Sequence, residues 1–153
     1  MGRRNNICSR DSFGFSLLEL IMVLAISSIL AGIGIPGFIR IQKEWSLWSS
    51  MRMVEISLRW GRMHAIAANA PVMFEIQGNG QKFVWLDPET GDAFESTERA
   101  LRNGTRITSA PGSLLRFYPR GNAAPGGTYR IEGDTGAYSV IVTPGGRIRT
   151  QKN

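Results

Sequence analysis

Glu19 is the residue of this chain that most needs a chemical explanation. It stands at the head of residues 20–39, a run of twenty without a charge. At about 1.5 Å of helical rise per residue, such a run spans the roughly 30 Å hydrocarbon core of a bilayer. A carboxylate near the centre of a membrane helix costs roughly 2.5 to 3.5 kcal/mol. Glu19 therefore requires a cationic partner or a role, unless it lies close enough to the interface to stay hydrated.

Residues with catalytic or metal-binding chemistry are few. His64 is the single histidine and Cys8 the single cysteine. A lone histidine beside small apolar residues on a helix indicates packing, because metal sites combine several such ligands. The turn Gly78-Asn79-Gly80 joins two predicted strands, whereas a phosphate-binding glycine loop leads into a helix. The sequence therefore predicts no enzyme, no catalytic residue, no metal site and no cofactor.

Charge is divided unevenly along the chain. Residues 75–98 hold six acids and one lysine, a local charge of −5, and residues 101–153 hold eight bases and two acids, a local charge of +6. Such a basic half is typical of a surface that binds a polyanion. Arg147 and Arg149 are expected on one side of a strand, with Lys152 beyond it, and their phosphate contacts would be independent of sequence. The alternative is a solvated face or a contact between subunits.

A long helix must carry Glu19 and the residues that follow it. Beyond the uncharged run, apolar residues recur at spacings of three or four, as on one face of an α-helix. The side chains of this stripe decrease in size from tryptophan to glycine and alanine, which would allow a sheet to pack closely on the last turns of the helix. Asn69 and Pro71 predict the end of the helix. The predicted stripe is Ile41, Trp45, Trp48, Met51, Val54, Leu58, Gly61, Ala65 and Ala68.

Two local features of this helix are also predicted. Glu55 is expected to lie away from the apolar stripe and to pair with Arg59 one turn later. Residues 32–37 contain three glycines and Pro36, which lower helix propensity and remove a backbone hydrogen bond. We expect this weak stretch to interrupt the helix and to let it bend.

From Val72 onward the apolar period changes to two, which predicts strands. Residues 72–76 and 82–86 flank the glycine turn and form a predicted hairpin. Later runs at residues 114–118, 128–132, 138–143 and 147–150 predict further short strands, separated by glycine and proline. Residues 120–127 are predicted as a loop. The region is expected to be antiparallel β.

The N-terminal pattern resembles that of type IV pilins and type II secretion pseudopilins. It consists of Gly14 followed by Phe15, Glu19 as the fifth residue from Phe15, and Pro36 further on. The resemblance implies that a prepilin peptidase cuts between Gly14 and Phe15 and methylates the amino group of Phe15. Glu19 would then pair with that amine on a neighbouring subunit as a filament assembles, which supplies the missing partner.

The same resemblance predicts the organisation of the chain. Residues 1–14 would be a cleaved basic leader, 15–39 a transmembrane helix, 40–70 its amphipathic continuation and 71–153 an antiparallel β domain. Basic residues flank the apolar run on both sides, so the positive-inside rule alone does not orient it. The resemblance places the leader in the cytoplasm and the C-terminal domain in the periplasm, with a single pass through the bacterial inner membrane.

The C-terminal part resembles the globular domain of the GspH/FimT family, which includes pseudopilin H and FimT-like minor pilins. The pieces are Phe117-Tyr118-Pro119-Arg120-Gly121, Gly127-Thr128-Tyr129-Arg130-Ile131, Val140-Ile141-Val142 and Gly146-Arg147-Ile148-Arg149. The implied fold class is α+β: one long N-terminal helix packed on a small antiparallel β domain. Because Cys8 lies in the leader, the mature chain would have no disulfide, which favours a minor subunit.

Two functions follow from this resemblance. The first is a minor pseudopilin of a type II secretion system, a structural subunit at or near the tip of a periplasmic pseudopilus. The second is a FimT-like minor pilin of a type IV pilus that binds DNA or primes assembly, since residues 146–152 resemble the basic motif of DNA-binding members. The expected partners are the inner membrane, a prepilin peptidase, other pilins or pseudopilins and, in the second case, DNA.

Overall fold

A computed structural model describes residues 16–111 and 114–153 of the chain. The predicted cleavage residues Gly14 and Phe15 lie outside this described part. The chain divides into two compact units between Phe38 and Ile39.

Helix α1 spans Leu17–Ala67. Ser16 precedes it, and its side-chain oxygen accepts a hydrogen bond from the backbone N–H of Glu19 at 3.2 Å, which caps the first turn. After the helix, Asn69 takes a left-handed conformation with φ of 50° and Pro71 follows. The predicted end of the helix is therefore confirmed.

The expected interruption near Pro36 is wrong, because α1 continues through this residue. A proline removes a single backbone hydrogen bond and strains the preceding turn by about 3 kcal/mol. Long apolar segments with good helix formers extend on both sides, and they keep the backbone helical across the weak stretch.

In the part of the chain that the structure describes, nine strands follow the helix and form two antiparallel sheets. The five-stranded sheet has the order β3-β2-β1-β5-β6 and the four-stranded sheet the order β4-β7-β8-β9. The strands are β1 Val72–Gln77, β2 Lys82–Leu86, β3 Arg99–Ala100, β4 Thr105–Ser109, β5 Leu115–Phe117, β6 Ala123–Ala124, β7 Gly127–Gly133, β8 Gly136–Val142 and β9 Ile148–Lys152.

The predicted hairpin is confirmed, with Phe74 of β1 opposite Trp85 of β2. The four later predicted strands correspond to β5, β7, β8 and β9, and every end agrees within two residues. The predicted loop at residues 120–127 is wrong in its middle, because β6 pairs there with β5. Strands β3 and β4 were not predicted.

One apolar core joins the second half of α1 to both sheets. Val54 and Leu58 of the helix are fully buried in it. Phe74 of the first sheet meets Tyr129 of the second at a ring-centroid distance of 5.9 Å. The predicted α+β fold, with one long N-terminal helix packed on antiparallel sheets, is confirmed.

The predicted apolar stripe of α1 is correct from Met51 to Ala65 and wrong at both ends. Ile41, Trp45 and Trp48 are exposed, as is Ala68, whereas Leu47 and Ser50 are buried. Several large apolar residues face away from the sheets, and periodicity alone could not tell which of two apolar faces the sheets cover.

Close packing at the end of the helix is confirmed at Gly61. A methyl group added there would overlap the indole ring of Trp85. Trp85 is buried, and its indole N–H donates a hydrogen bond to the Ser57 hydroxyl at 2.8 Å. The absence of a side chain at Gly61 therefore admits the largest side chain of the core.

Candidate functional site

Of the predicted N-terminal site, the structure describes the residues from Ser16 onward, which include Glu19. Glu19 lies exposed in the first turn of α1. An acidic residue at this position interacts favourably with the helix dipole, by about 0.3 to 1 kcal/mol. For a carboxylate placed in hydrocarbon, this interaction would be smaller than the cost of burial, which is roughly 2.5 to 3.5 kcal/mol near a helix centre.

The first half of α1 has the length and composition of a membrane span. It is the one helix in the described part that meets both criteria, with a mean hydropathy of 2.3 in its most apolar window. None of that window is buried within the chain. Its apolar side chains, from Leu17 to Phe38, are exposed in the isolated chain and are available to lipid or to other helices.

A buried carboxylate lies in the second half of the helix. Glu55 accepts hydrogen bonds from Arg52 at 2.8 Å and from two nitrogens of Arg59 at 2.8 and 3.2 Å. Burial alone would raise the pKa of Glu55, but the hydrogen bonds and charges of the two guanidinium groups outweigh it and hold the pKa below its usual range. The predicted pair with Arg59 is confirmed. The predicted exposure of Glu55 is wrong, because the two arginines compensate its burial.

His64 is packed among aromatic rings, as predicted. It stacks on Trp60 at a ring-centroid distance of 4.8 Å and meets Phe94 edge-on at 5.1 Å. Within residues 16–111 and 114–153, no group of three or more histidine, cysteine or acidic residues could hold a metal ion.

The structure places Lys152 on a different face of β9 from Arg149, although both belong to the predicted DNA-binding group. Arg149 lies opposite Ile141 of β8, and Lys152 lies opposite Tyr138. Successive residues of a strand point to opposite faces, so Arg149 is on the outer face of the four-stranded sheet and Lys152 on the helix side. The ammonium group of Lys152 lies 6.0 Å from the Tyr138 ring centroid. Arg147 is exposed in the turn before β9.

Two further arginines share the outer face with Arg149. Arg130 of β7 lies on this face, and Arg106 of β4 lies on it opposite Glu132. All three arginines are exposed, although Arg130 also contacts the Glu132 carboxylate at 2.6 Å. The sequence analysis counted Arg106 and Arg130 among the eight bases of residues 101–153 but did not group them with Arg149, because the grouping depends on how the strands pair. The spacing of two between Arg130 and Glu132 was the one available signal that these two residues share a face of a strand.

Comparison with protein families gives two matches. Residues 54–146 match the model described as type II transport protein GspH, and residues 9–35 match the prokaryotic N-terminal methylation motif. A comparison with curated protein sequences found no significant match.

Similar solved structures include proteins of both secretion and pilus systems. The minor pseudopilin EpsH from the type II secretion system of Vibrio cholerae has a TM-score of 0.59 at 14% identity, over 70% of this chain and 97% of that one. The type IV minor pilin FimU of Pseudomonas aeruginosa has a TM-score of 0.61 at 14% identity, over 72% of this chain and 92% of that one. At this identity the likeness shows the shared fold. Because the family model covers more than half of the chain, the protein belongs to the GspH family of type II transport proteins.

Proposed function

We propose that this protein is a minor pseudopilin of a type II secretion system, a structural subunit at or near the tip of a periplasmic pseudopilus. The observation that carries this proposal is the GspH match over residues 54–146, which covers most of the globular unit. The α1 helix anchors the subunit in the inner membrane before assembly, and the β domain stands in the periplasm.

The N-terminal residues supply the assembly chemistry in this proposal. The methylation motif over residues 9–35 supports cleavage between Gly14 and Phe15 and methylation of the new amine. That amine remains cationic, and Glu19 of an adjacent subunit is its partner within the bilayer. Pairing removes the cost of an isolated carboxylate in hydrocarbon, so association is favoured over the separate membrane-inserted subunits.

Deletion of the gene in its natural host tests the assignment. We expect proteins that leave through the type II system to accumulate in the periplasm, while surface pili and DNA uptake stay at their normal levels. Plasmid-borne wild-type protein should restore secretion. Normal secretion combined with loss of pili would overturn the assignment and favour the pilus system.

A second candidate function has its own observation. The outer face of the four-stranded sheet presents Arg106, Arg130 and Arg149, a group suited to the phosphates of a nucleic acid. Arg130 and Arg149 lie on the two strands that flank β8 and are offset by two residues along it, so their Cα atoms stand about 12 Å apart. On this reading the chain is a FimT-like minor pilin of a type IV pilus that binds DNA.

A salt titration of the detergent-solubilised chain on duplex DNA tests this second function. If three phosphates are neutralised, the log of the affinity falls with log salt at a slope of about −2.7, and Arg149→Gln reduces the magnitude by about 0.9. Lys152→Gln is the matched control, because Lys152 lies on the opposite face of the same strand and should leave the slope unchanged. Absence of binding at about 50 mM salt, where phosphate contacts are strong, removes the DNA function.

A further inference from the structure

A pocket of about 380 Å³ lies between the second half of α1 and the strands β8 and β9. This volume falls within the range of about 300 to 1,000 Å³ that is typical of small-molecule sites. We call it the aromatic pocket. Its ring-bearing and polar side chains come from the helix, from the residue before β8 and from both strands: Glu44, Trp45, Trp48, Thr135, Tyr138 and Lys152.

A polar group in the wall of the aromatic pocket is unsatisfied. Within the part of the chain that the structure describes, the buried hydroxyl of Thr135 makes no hydrogen bond. A buried polar group without a partner costs about 1 to 3 kcal/mol. Rotation of this side chain about its Cα–Cβ bond exchanges the positions of the hydroxyl and the methyl group. A ligand with polar atoms can therefore recover this cost, whereas a purely apolar ligand cannot.

The aromatic pocket carries one charge of each sign. The ammonium group of Lys152 lies 6.0 Å from the ring centroid of Tyr138. The carboxylate of Glu44 lies 3.9 Å from Arg40, and the two side chains are 56% and 80% exposed. Exposed ion pairs of this kind contribute about 0 to 1 kcal/mol, so a ligand can replace Arg40 at the carboxylate at little cost.

These groups are complementary to a ligand that carries both a phosphate and a primary ammonium group. A phosphate accepts strong hydrogen bonds from an ammonium group such as that of Lys152. An ammonium group is attracted to a carboxylate and to the face of a tryptophan ring, the latter by about 0.5 to 2 kcal/mol. Glu44 disfavours a ligand that is only anionic, and Lys152 disfavours one that is only cationic.

The position of the pocket along α1 indicates the source of such a ligand. Residues 44–48 lie about 8 to 14 Å along the helix beyond Ile39, the last residue of the uncharged run. Helical side chains lie over the preceding turn, which brings these groups about 5 Å nearer to Ile39. The headgroup layer on each side of the hydrocarbon core is about 5 to 7 Å thick, and tryptophan is enriched there. A chain anchored through residues 20–39 therefore has these side chains at the level of the headgroups.

We propose that the aromatic pocket binds the headgroup of a phospholipid of the phosphatidylethanolamine type. The phosphate lies against Lys152 and Thr135. The ammonium group lies against Glu44 and the ring of Trp45. This proposal rests on the proposed function, because it requires a chain that is anchored in the inner membrane through the first half of α1. The bound headgroup ties the globular unit to the membrane surface before assembly.

Native mass spectrometry of the full chain in detergent micelles tests the proposal. Phosphatidylethanolamine and phosphatidylglycerol with the same acyl chains are titrated separately, since both have the phosphate and only the first has the ammonium group. We expect one phosphatidylethanolamine to bind roughly fivefold more tightly than phosphatidylglycerol. Soluble glycerophosphoethanolamine should bind roughly tenfold more weakly than the lipid, because it has no acyl chains to bury.

Two charge substitutions should have different effects on the two lipids. Lys152→Gln should weaken both lipids, because both lose the partner of the phosphate. Glu44→Gln should weaken phosphatidylethanolamine and leave phosphatidylglycerol unchanged or tighter. Arg116→Gln is the matched control, because Arg116 is an exposed base on β5 of the other sheet, and it should change neither affinity. All three side chains are exposed, so the melting temperatures should stay the same.

The hydroxyl of Thr135 provides a second measurement. Thr135→Val replaces an unsatisfied hydroxyl by a methyl group of similar size, so the melting temperature of the lipid-free chain should stay the same or rise. The affinity for phosphatidylethanolamine should fall severalfold in the same variant. An unchanged affinity would contradict the placement of the phosphate.

Other outcomes overturn the proposal. Equal affinity of the wild-type chain for the two lipids would mean that the ammonium group is not recognised. Equal affinity for phosphatidylethanolamine and for glycerophosphoethanolamine would mean that the ligand is a soluble compound. Equal weakening by Lys152→Gln and Arg116→Gln would show a general effect of charge rather than a site.

Flotation with lipid vesicles distinguishes a failure of this proposal from a failure of the proposed function. A chain that floats with vesicles of either lipid and shows no preference between them is anchored but lacks the headgroup site, so the proposed function stands. A chain that floats with neither has no membrane anchor, and the proposed function fails as well.

Discussion

Gly61 determines how closely α1 approaches the first sheet. Replacement by alanine places a methyl group inside the Trp85 ring, so the ring or the helix must move. We expect Gly61→Ala to lower the free energy of unfolding by about 1 to 3 kcal/mol, despite a gain in helix propensity of up to about 1 kcal/mol. Chemical unfolding followed by tryptophan fluorescence measures this change. Gly145→Ala is the control, because no atom lies within 4 Å of its added methyl group.

The carboxylate of Glu55 makes stability depend on pH. Its pKa in the folded chain lies below the ordinary value of 4.5, so the unfolded chain binds a proton more readily. The stabilisation of the folded chain by ionised Glu55 is therefore present above about pH 4.5 and is lost as the pH falls through the pKa of Glu55 in the folded chain. We expect Glu55→Gln to lower the free energy of unfolding by about 1 to 2 kcal/mol at pH 7. The free energy of unfolding of this variant should also fall less steeply as the pH is lowered.

Unfolding at several pH values between 3 and about 7 checks this expectation. Glu44→Gln serves as the control, because Glu44 and its partner Arg40 are both exposed and lie 3.9 Å apart. If the free energy of unfolding falls equally with decreasing pH in Glu55→Gln and in the wild-type chain, Glu55 is not the group responsible for the loss of stability in acid.

At the scale of elements, a substitution in the first half of α1 can distinguish membrane insertion from filament assembly, both of which the proposed function assigns to this segment. Glu19→Ala removes a carboxylate from an otherwise uncharged span, so membrane insertion should be unchanged or improved. If Glu19 pairs with the amine of the neighbouring subunit as proposed, incorporation into filaments should fall several-fold, because that amine loses its partner. Quantification of the subunit in membrane and sheared-filament fractions measures both effects. Equal incorporation of Glu19→Ala and wild-type protein would mean that the carboxylate is incidental to assembly.

The elements that could be predicted are those whose signal is local. The Gly78-Asn79-Gly80 turn and the alternating residues beside it are enough to predict β1 and β2. Strands β3 and β6 have two residues each and depend on a neighbour to become strands, so periodicity cannot reveal them. The burial of Glu55 likewise depends on the second arginine, Arg52, whose approach is a property of the folded helix.

The arginines on the outer face of the four-stranded sheet come from three different strands, which explains why this group was predicted only in part. Arg149 was selected from the sequence because it lies near the C-terminus with Arg147 and Lys152. The pairing of β8 with β9 puts Lys152 on the other face, and the pairing of β4 with β7 adds Arg106. A motif read along the chain lacks the information that hydrogen bonding between strands supplies.

At the scale of the whole molecule, the proposed cleavage after Gly14 would determine which form of the chain enters a filament. We expect the assembled chain to begin at Phe15 with a methylated amine, and Gly14→Val to retain the leader, because a branched side chain obstructs the peptidase at the junction. Mass spectrometry of the N-terminal peptide from purified filaments distinguishes the two forms. Val72→Ile, which lies far along the chain in β1, is a control that should be processed normally. An intact leader in wild-type filaments would contradict the assignment.

The edges of the two sheets affect how copies of the chain behave at high local concentration. Both edges of the five-stranded sheet are strands of two residues, β4 is interrupted by an irregular register, and β9 carries Arg149 and Lys152. Short, bulged or charged edge strands resist the backbone pairing between molecules that begins β-aggregation. If subunits collect in a membrane before assembly, as the proposed function requires, these edges would keep them from associating through their sheets.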